Sequence, residues 1–426
     1  MKKLFTILVM LMAVSASLFS QSVWIEQPAG YPLNSTIWDI NFFNSQTGLI
    51  CGWGSALART TNGGTNWNKI PNGTNAYYSM SFINNNTGWV SGRFGTNIEL
   101  LRKTTDAGLT WDSLYFGNTG PISYITFLDA NTGYSTIQGM IHKTVNGGMN
   151  WSNIDNYILV YHTNKITFIN SMTGWASKGF ASQAYNYCVT VLLKTTNSGV
   201  NWFPQIVDTT STYYINNSIN DIQFLDANTG YIAMCQYGIR KTTDGGQTWA
   251  KIYEANSCNK LYFINSNTGW AESSSNILKT TNGGMSWLPV LVSQGVIISS
   301  MQFVNEFTGW AAGSSNSFPK LFKTTNGGVW VKNISTEIPS AYSLSQNYPN
   351  PFNPITNVKF SIVKAGDVRL SVFDVTGRYV EVLVNERMNA GTYEAAFDGS
   401  GLTSGVYFYR MQAEGFSETR RMILLK

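Results

Sequence analysis

Apolar and polar side chains alternate along short runs of this chain, and turns rich in Gly, Asn, Asp and Thr separate the runs. In 124–127, Ile125 and Phe127 point one way and Tyr124 and Thr126 the other, the period of a half-buried strand. Residues 128–133 then read as a turn, Tyr134 opens a second strand, and 140–144 is a third. Asn146-Gly-Gly148 turns the chain into a fourth strand at Trp151. Asn-Gly and Asp-Gly between such runs signal hairpins, because the tight turn needs positive φ.

This four-strand pattern recurs seven times. Its first strand ends at Phe42, Phe82, Phe127, Phe168, Phe224, Phe263 or Phe303, and the glycine of a Thr-Gly pair follows 6 residues later in every unit. A basic residue comes next: Arg59, Lys103, Lys143, Lys194, Lys241, Lys279 or Lys323. A Trp follows that residue by 8 in six units (Trp67, Trp111, Trp151, Trp202, Trp249 and Trp287), whereas Trp330 comes after 7. A repeat near forty residues marks an array of one supersecondary unit. The expected fold is all-β: a seven-bladed β-propeller, followed by a small immunoglobulin-like β-sandwich. Closure stays open at this point. Trp24-Ile-Glu-Gln27 looks like a spare fourth strand and pairs into the last blade beside or instead of Trp330-Val-Lys-Asn333.

The spacings also orient the array. Phe-to-Gly and basic-to-Trp intervals are constant, so the first and third turns of each blade share one face. Gly-to-basic intervals run from 10 to 20 and Trp-to-next-Phe intervals from 14 to 22, which puts the variable loops on the other face. Unit 4 has the longest of both. Its loops carry Tyr185, Tyr187, Tyr213 and Tyr214, the candidate partner-binding residues, against the plainer reading of a solvated insertion.

The turn Thr60-Thr-Asn62-Gly-Gly64-Thr-Asn-Trp67, and likewise Thr242-Thr-Asp244-Gly-Gly246-Gln-Thr-Trp249, resembles the Asp-box or BNR repeat. Asn62, Asp106, Asn146, Asn197, Asp244, Asn282 and Asn326 are its structural Asx residues, accepting backbone N–H groups across the turn. With the Thr-Gly-Trp/Tyr turn, the unit is similar to the repeat of the photosystem II assembly and stability factor family over residues 36–335. That resemblance implies a propeller and carries little about function, since folds host many functions.

After residue 337 the repeat stops. Residues 338–354 form a Pro- and Asn-rich linker and the start of a sorting signal, and alternating strands fill 355–426. Asn347-Tyr-Pro349-Asn350-Pro351-Phe352-Asn-Pro354, Val372-Phe-Asp-Val-Thr-Gly377-Arg378 and Ser404-Gly405-Val-Tyr407 resemble the type A C-terminal sorting domain of the type IX secretion system. The resemblance implies passage across the outer membrane guided by this domain, its removal, and release or surface attachment of the cargo.

Residues 1–20 read as a signal peptide: Lys2 and Lys3, an apolar run over 4–14, then small residues, with cleavage favoured after Ser20 over Ala16. No other stretch could span a bilayer as a helix, so 21–337 is expected to be an exported propeller with no transmembrane segment. Without Lys2 and Lys3 the formal charge of +5 falls to +3, spread evenly over both domains, which excludes a nucleic-acid partner. Cys51, Cys188, Cys235 and Cys258 could pair in three ways outside the cytoplasm, though buried thiols are the plainer reading.

The chemistry offers no catalytic, metal or cofactor residue. Of the propeller's four arginines, Arg59 holds the repeated basic position and Arg102 and Arg240 precede it, leaving Arg93 unexplained and no sialidase-type triad. His142 and His162 are too few for a His-based site. One strand position, three before each Phe, carries Asp39, Ser79, Tyr124, Lys165, Asp221, Lys260 and Ser300. Asp39, Tyr124, Lys165, Asp221 and Lys260 form a candidate channel ring, read most simply as solvated lining. The seven basic residues form another ring, explained by cations over the neighbouring Trp or, alternatively, by anion binding. The sequence thus favours a secreted or surface-exposed binding protein over an enzyme, its partners the type IX machinery and a protein or surface glycan. The alternatives are a carbohydrate-active hydrolase with carboxylates near the channel and, more remotely, a photosystem-assembly role.

Overall fold

The computed structural model describes residues 24–27, 36–54, 56–71, 76–94, 98–115, 122–155, 165–182, 187–210, 218–235, 237–255, 257–274, 276–292, 295–316, 318–328, 331–399 and 402–426. The chain divides into two compact units, one over Trp24–Gly327 and the other containing Gly328–Lys426.

The first unit holds seven four-stranded antiparallel sheets. Six follow chain order, beginning with the blade of Ile37–Phe42, Gly48–Gly52, Ala56–Thr60 and Asn68–Lys69. The innermost strands touch one another in cyclic order and the last touches the first, so the propeller is closed. In the seventh blade the outer position belongs to the N-terminal strand Ile25–Glu26, paired as Ile25↔Lys323 and Glu26↔Phe322. That register repeats Arg59↔Asn68 and Lys241↔Ala250, where the basic residue also faces the residue after the box Trp. Trp24 therefore stands in the place that Trp67 or Trp249 holds elsewhere. It is 1% exposed and meets Phe303 edge-on at 5.6 Å, as Trp67 meets Phe42 at 6.0 Å. Of the two closures left open by sequence, the N-terminal strand replaces the local one. Val331–Ser335 pairs instead with Gly391–Asp398 of the second unit.

Constant spacing has a packing cause. A Cβ on Gly48 or on any of its six equivalents would lie 2.3–2.7 Å from the ring of its own Phe, so only Gly lets the second strand cross that ring. In six of the seven units the residue after this Gly is a fully buried aromatic, and in the first it is Leu49. Trp89, Trp175, Trp270, Trp310, Tyr134 and Tyr231 are fully buried, whereas the box residues Trp111, Trp151, Trp249 and Trp287 are only half-buried. Each of the six stacks on the Phe of the following blade, at centroid separations of 3.5–4.2 Å.

The second unit packs two four-stranded sheets over one core that includes Phe352, Phe360, Leu370, Phe397 and Tyr409. The segment read as a linker is built into this fold from Ser343 onward. Ser343–Leu344 pairs with Ile355–Ile362, and Phe352 exchanges backbone hydrogen bonds with Ile423 and Leu425.

Candidate functional site

The Asp-box face is occupied by its own joints. In each of the seven turns the Thr hydroxyl donates to the Asx side chain at 2.7–3.0 Å, and the turn's N–H reaches a carbonyl of the first turn of the same blade. Asn62, Asp106, Asn146, Asn197, Asp244, Asn282 and Asn326 thus lie in equivalent turns on the face of the first turns. The box backbone is then gripped by the preceding blade. The indole N–H groups of Trp89, Trp175, Trp270 and Trp310 donate to the carbonyls of Gly147, Gly245, Gly327 and Gly63 at 2.9–3.1 Å. Tyr134 and Tyr231 donate their hydroxyls to Ser198 and Ser266 carbonyls at 2.8 and 3.3 Å. Blade 1 has Leu49 there, and Arg59 takes over, its Nε 3.2 Å from the Ala107 carbonyl.

The basic ring belongs to the same joints. Lys103, Lys143, Lys194, Lys241, Lys279 and Lys323 sit 5.0–5.7 Å over the aromatic of their own blade. Lys143, Lys194 and Lys241 also donate to the next box at 2.8–3.1 Å. Cation–π contact, rather than an anion site, accounts for them.

The channel residues do converge. In six blades the strand register shifts at this position, a bulge that turns the side chain inward. Four of them brace the following blade. Asp39 accepts the Met80 N–H at 2.8 Å, Ser79 that of Ile125 at 3.4 Å, Asp221 that of Leu261 at 3.1 Å, and Ser300 that of Ile40 at 3.4 Å. Lys165 pairs with Asp221 at 2.6 Å and lies 5.4 Å over the Tyr124 ring. Burial works to raise the Asp221 carboxyl, but Lys165 foremost, with Lys260, holds it below its usual range. Burial also pushes Asp39 up, against the pull of the Met80 N–H, Ser300 and the two lysines. For Lys165 the attraction of Asp221 overcomes burial and raises its pKa, while burial lowers that of Lys260. Asp221 is buried, so the ring is a partly buried electrostatic brace rather than solvated lining.

Blade 4 stands apart. Its second and third strands, Gly174–Ser182 and Tyr187–Thr195, have nine residues each, and its outer strand Phe203–Thr210 has eight. The second strand of blade 1, 3, 5 or 6 has five. Much of what read as a long loop is hairpin, paired from Gly174↔Thr195 to Ser182↔Tyr187. Lys178 within it is buried and ion-paired with Asp155. Tyr185, Tyr213 and Tyr214 lie outside the described residues, as does the side chain of Tyr187. The signal peptide, His162 and Trp330 also lie outside them. Cys51 and Cys258 are buried free thiols, and burial pushes both up. Cys235 is a free, half-buried thiol.

Sequence reasoning missed an aromatic group on the variable-loop face. Trp38 stacks on Tyr78 at 4.8 Å and meets Trp53 at 5.7 Å, and the Arg93 guanidinium lies 4.7 Å over the Trp53 ring. The only sequence signal was Arg93, which the repeat did not explain.

In the sorting unit, the motif residues Pro349, Asn350, Pro351 and Phe352 lie between the paired segments Ser343–Leu344 and Ile355–Ile362. Asn350 accepts the Ile423 N–H at 2.9 Å and Phe352 is 1% exposed. Gly377 closes the Asp374–Arg378 turn at φ 79°, next to open space. Gly405 opens a strand, and Tyr407 donates to the Thr403 carbonyl at 2.8 Å.

Residues 18–165 match the family model of the photosynthesis system II assembly factor YCF48, and residues 346–425 that of the secretion system C-terminal sorting domain. The photosystem II assembly lipoprotein Ycf48 of Synechococcus sp. (strain CC9902) is 28% identical over 120 residues, 26% of this chain. The chain spans only 35% of that relative. Among solved structures, YCF48 bound to D1 peptide superposes with TM-score 0.54 at 18% identity, over 72% of this chain and 99% of that one. The extracellular domain of a hybrid two component system from B. thetaiotaomicron reaches 0.52 at 11% identity, over 96% of this chain and 60% of that one. At such identities the likeness is one of fold. The chain carries a YCF48-like BNR propeller and a type IX sorting domain, which makes it a secreted or outer-surface protein that engages the type IX machinery.

Proposed function

We propose that this protein is a non-catalytic binding scaffold that presents its variable-loop face to a protein or glycan outside the outer membrane. The observation that carries this reading is the elongated hairpin of blade 4, about four residues or roughly 13 Å longer than the common five-residue strand. On the opposite face the box Asx groups bond within their own turns and three of the basic residues donate to the next blade, which leaves those groups less free to take a ligand. A signal peptide over 1–20 completes the export route.

Two facts favour binding over hydrolysis. Asp39 spends its oxygens on Ile40, Met80 and Ser300, and Asp221 on Ile222, Leu261 and Lys165. Acid–base work needs a carboxyl oxygen within reach of substrate. The solved YCF48 bound to a D1 peptide supports the use of such a propeller as a binding platform. The sorting domain favours a partner at the cell surface.

The test keeps Lys178 and shortens the hairpin. Replacing 180–189 by Asn-Gly lets Gly179 and Thr190, already opposite each other, close on a two-residue turn. The mature protein should lose capture of outer-surface protein and glycan ligands while its melting temperature moves by only a few degrees. Undiminished capture would overturn the assignment of this face.

A further inference from the structure

Trp38 and Tyr78 occupy the same place in blades 1 and 2, the bulge residue one step before the channel positions Asp39 and Ser79. Other blades carry Asn220, Asn259 and Ser299 at this level, and those close on the scaffold. Asn220 donates to the Cys258 carbonyl and to Asn259, and Ser299 to the carbonyls of Ile37 and Ala312. Among these blades, 1 and 2 alone carry an aromatic residue at this level.

Trp53 extends this group outward. It follows the second strand of blade 1 and is 43% exposed, unlike the buried aromatics of the blade joints. Arg93, near the end of the second strand of blade 2, lies over it. Among the described residues the guanidinium, with its five donors, makes no hydrogen bond or ion pair. Packing does not demand this arrangement. The stacked and edge-on rings that join the blades are formed by other residues, so the joints are complete without this group.

We propose that this aromatic–arginine platform binds an acidic sugar, a uronic acid within a surface polysaccharide. The C–H face of a pyranose packs on exposed indole surface, and the planar guanidinium takes the sugar carboxylate in a bidentate pair. Lys260, at the neighbouring channel level, is within electrostatic reach of Asp221, Asp39 and Glu272, so the channel itself is charge-balanced and Arg93 supplies the cation of the platform. The proposal goes beyond the blade 4 assignment, because its residues lie on blades 1 and 2.

Isothermal titration of the mature protein with pectate, alginate and hyaluronan oligosaccharides, followed in parallel by tryptophan fluorescence, tests it. At least one should bind with quenching, and its methyl ester should bind at least tenfold more weakly. Trp53→Ala should lower affinity tenfold or more, and Arg93→Gln should remove the preference for the acid over the ester. Retained affinity in both variants would overturn the site, as would absence of binding to all three acidic glycans. Equal binding of acid and ester would overturn the role of Arg93. Saturable competition by polyglutamate would overturn the commitment to a sugar. The shortened blade 4 hairpin should leave uronate binding intact, so failure of either proposal is separable from failure of the other.

Discussion

Blade 7 and the six blades before it are built from the same sequence unit, yet they close differently. In blades 1–6 the box turn delivers its Trp 8 residues after the basic residue, and the fourth strand pairs in a fixed register. In blade 7 the interval is 7. Side chains alternate with period two along a strand, so a one-residue slip would turn the Trp and everything after it to the wrong side. The local strand is therefore out of register for Phe303, and Trp24, which arrives from the other end of the chain, is in register. A single missing residue redirects two strands: one from the N-terminus into the propeller, and Val331–Ser335 into the sandwich sheet.

The largest expected effect follows from that difference. Trp24→Ala should cost about 3–5 kcal/mol, as for a fully buried aromatic, and its unfolding should expose the ends of the propeller first, read by hydrogen exchange at Ile25 and Glu26. Trp151→Ala, at a half-buried box position, should cost less than about 3 kcal/mol. Inserting Asn between Val329 and Trp330 restores the interval of the other blades and should recover part of the Trp24→Ala loss. If the insertion rescues nothing, spacing is not what displaces the local strand.

A smaller effect compares the junctions. Between blades 1 and 2 the only clasp to the box carbonyl among the described residues is Arg59, whereas Gly245 is held by both Trp175 and Lys194. Arg59→Leu should cost about 1.5–3 kcal/mol, the range for a hydrogen bond from a charged donor. Lys194→Met should cost less, because Trp175 remains. Denaturant unfolding that ranks the two the other way would show that the clasp is not what joins the blades.

The mildest effect separates the boxes by chemistry. Asp244 is pulled from 3.8 down to about 2 by the side chain and N–H of Thr248 and by Thr242. Asp106 is also lowered, hydrogen bonds from Thr110 and Thr104 outweighing burial. A depressed carboxyl contributes stability that is present above its unfolded value and lost as pH falls through its folded one. Between about pH 4 and pH 2 the turns of blades 2 and 5 should loosen, seen as faster exchange at Thr110 and Thr248. The Asn boxes should not change, and Asp106→Asn with Asp244→Asn should abolish the dependence.

The sequence by itself determined the repeat, the number of blades, the face carrying the box turns and the nature of the sorting domain. These follow from local rules: period-two alternation, turns that require Gly or Asx, and intervals counted along one chain. Only the tertiary structure decided which segment closes the ring, since the contact of Trp24 with Phe303 joins residues 279 positions apart. It also decided that the residue after each Thr-Gly, more than the box Trp, carries the burial, and that the basic ring is spent on cation–π joints. The meeting of Trp38, Trp53, Tyr78 and Arg93 has the same cause. Apart from Arg93 none stands out in its own unit, and the group arises because adjacent blades bring Trp38 and Tyr78, at equivalent strand positions, side by side.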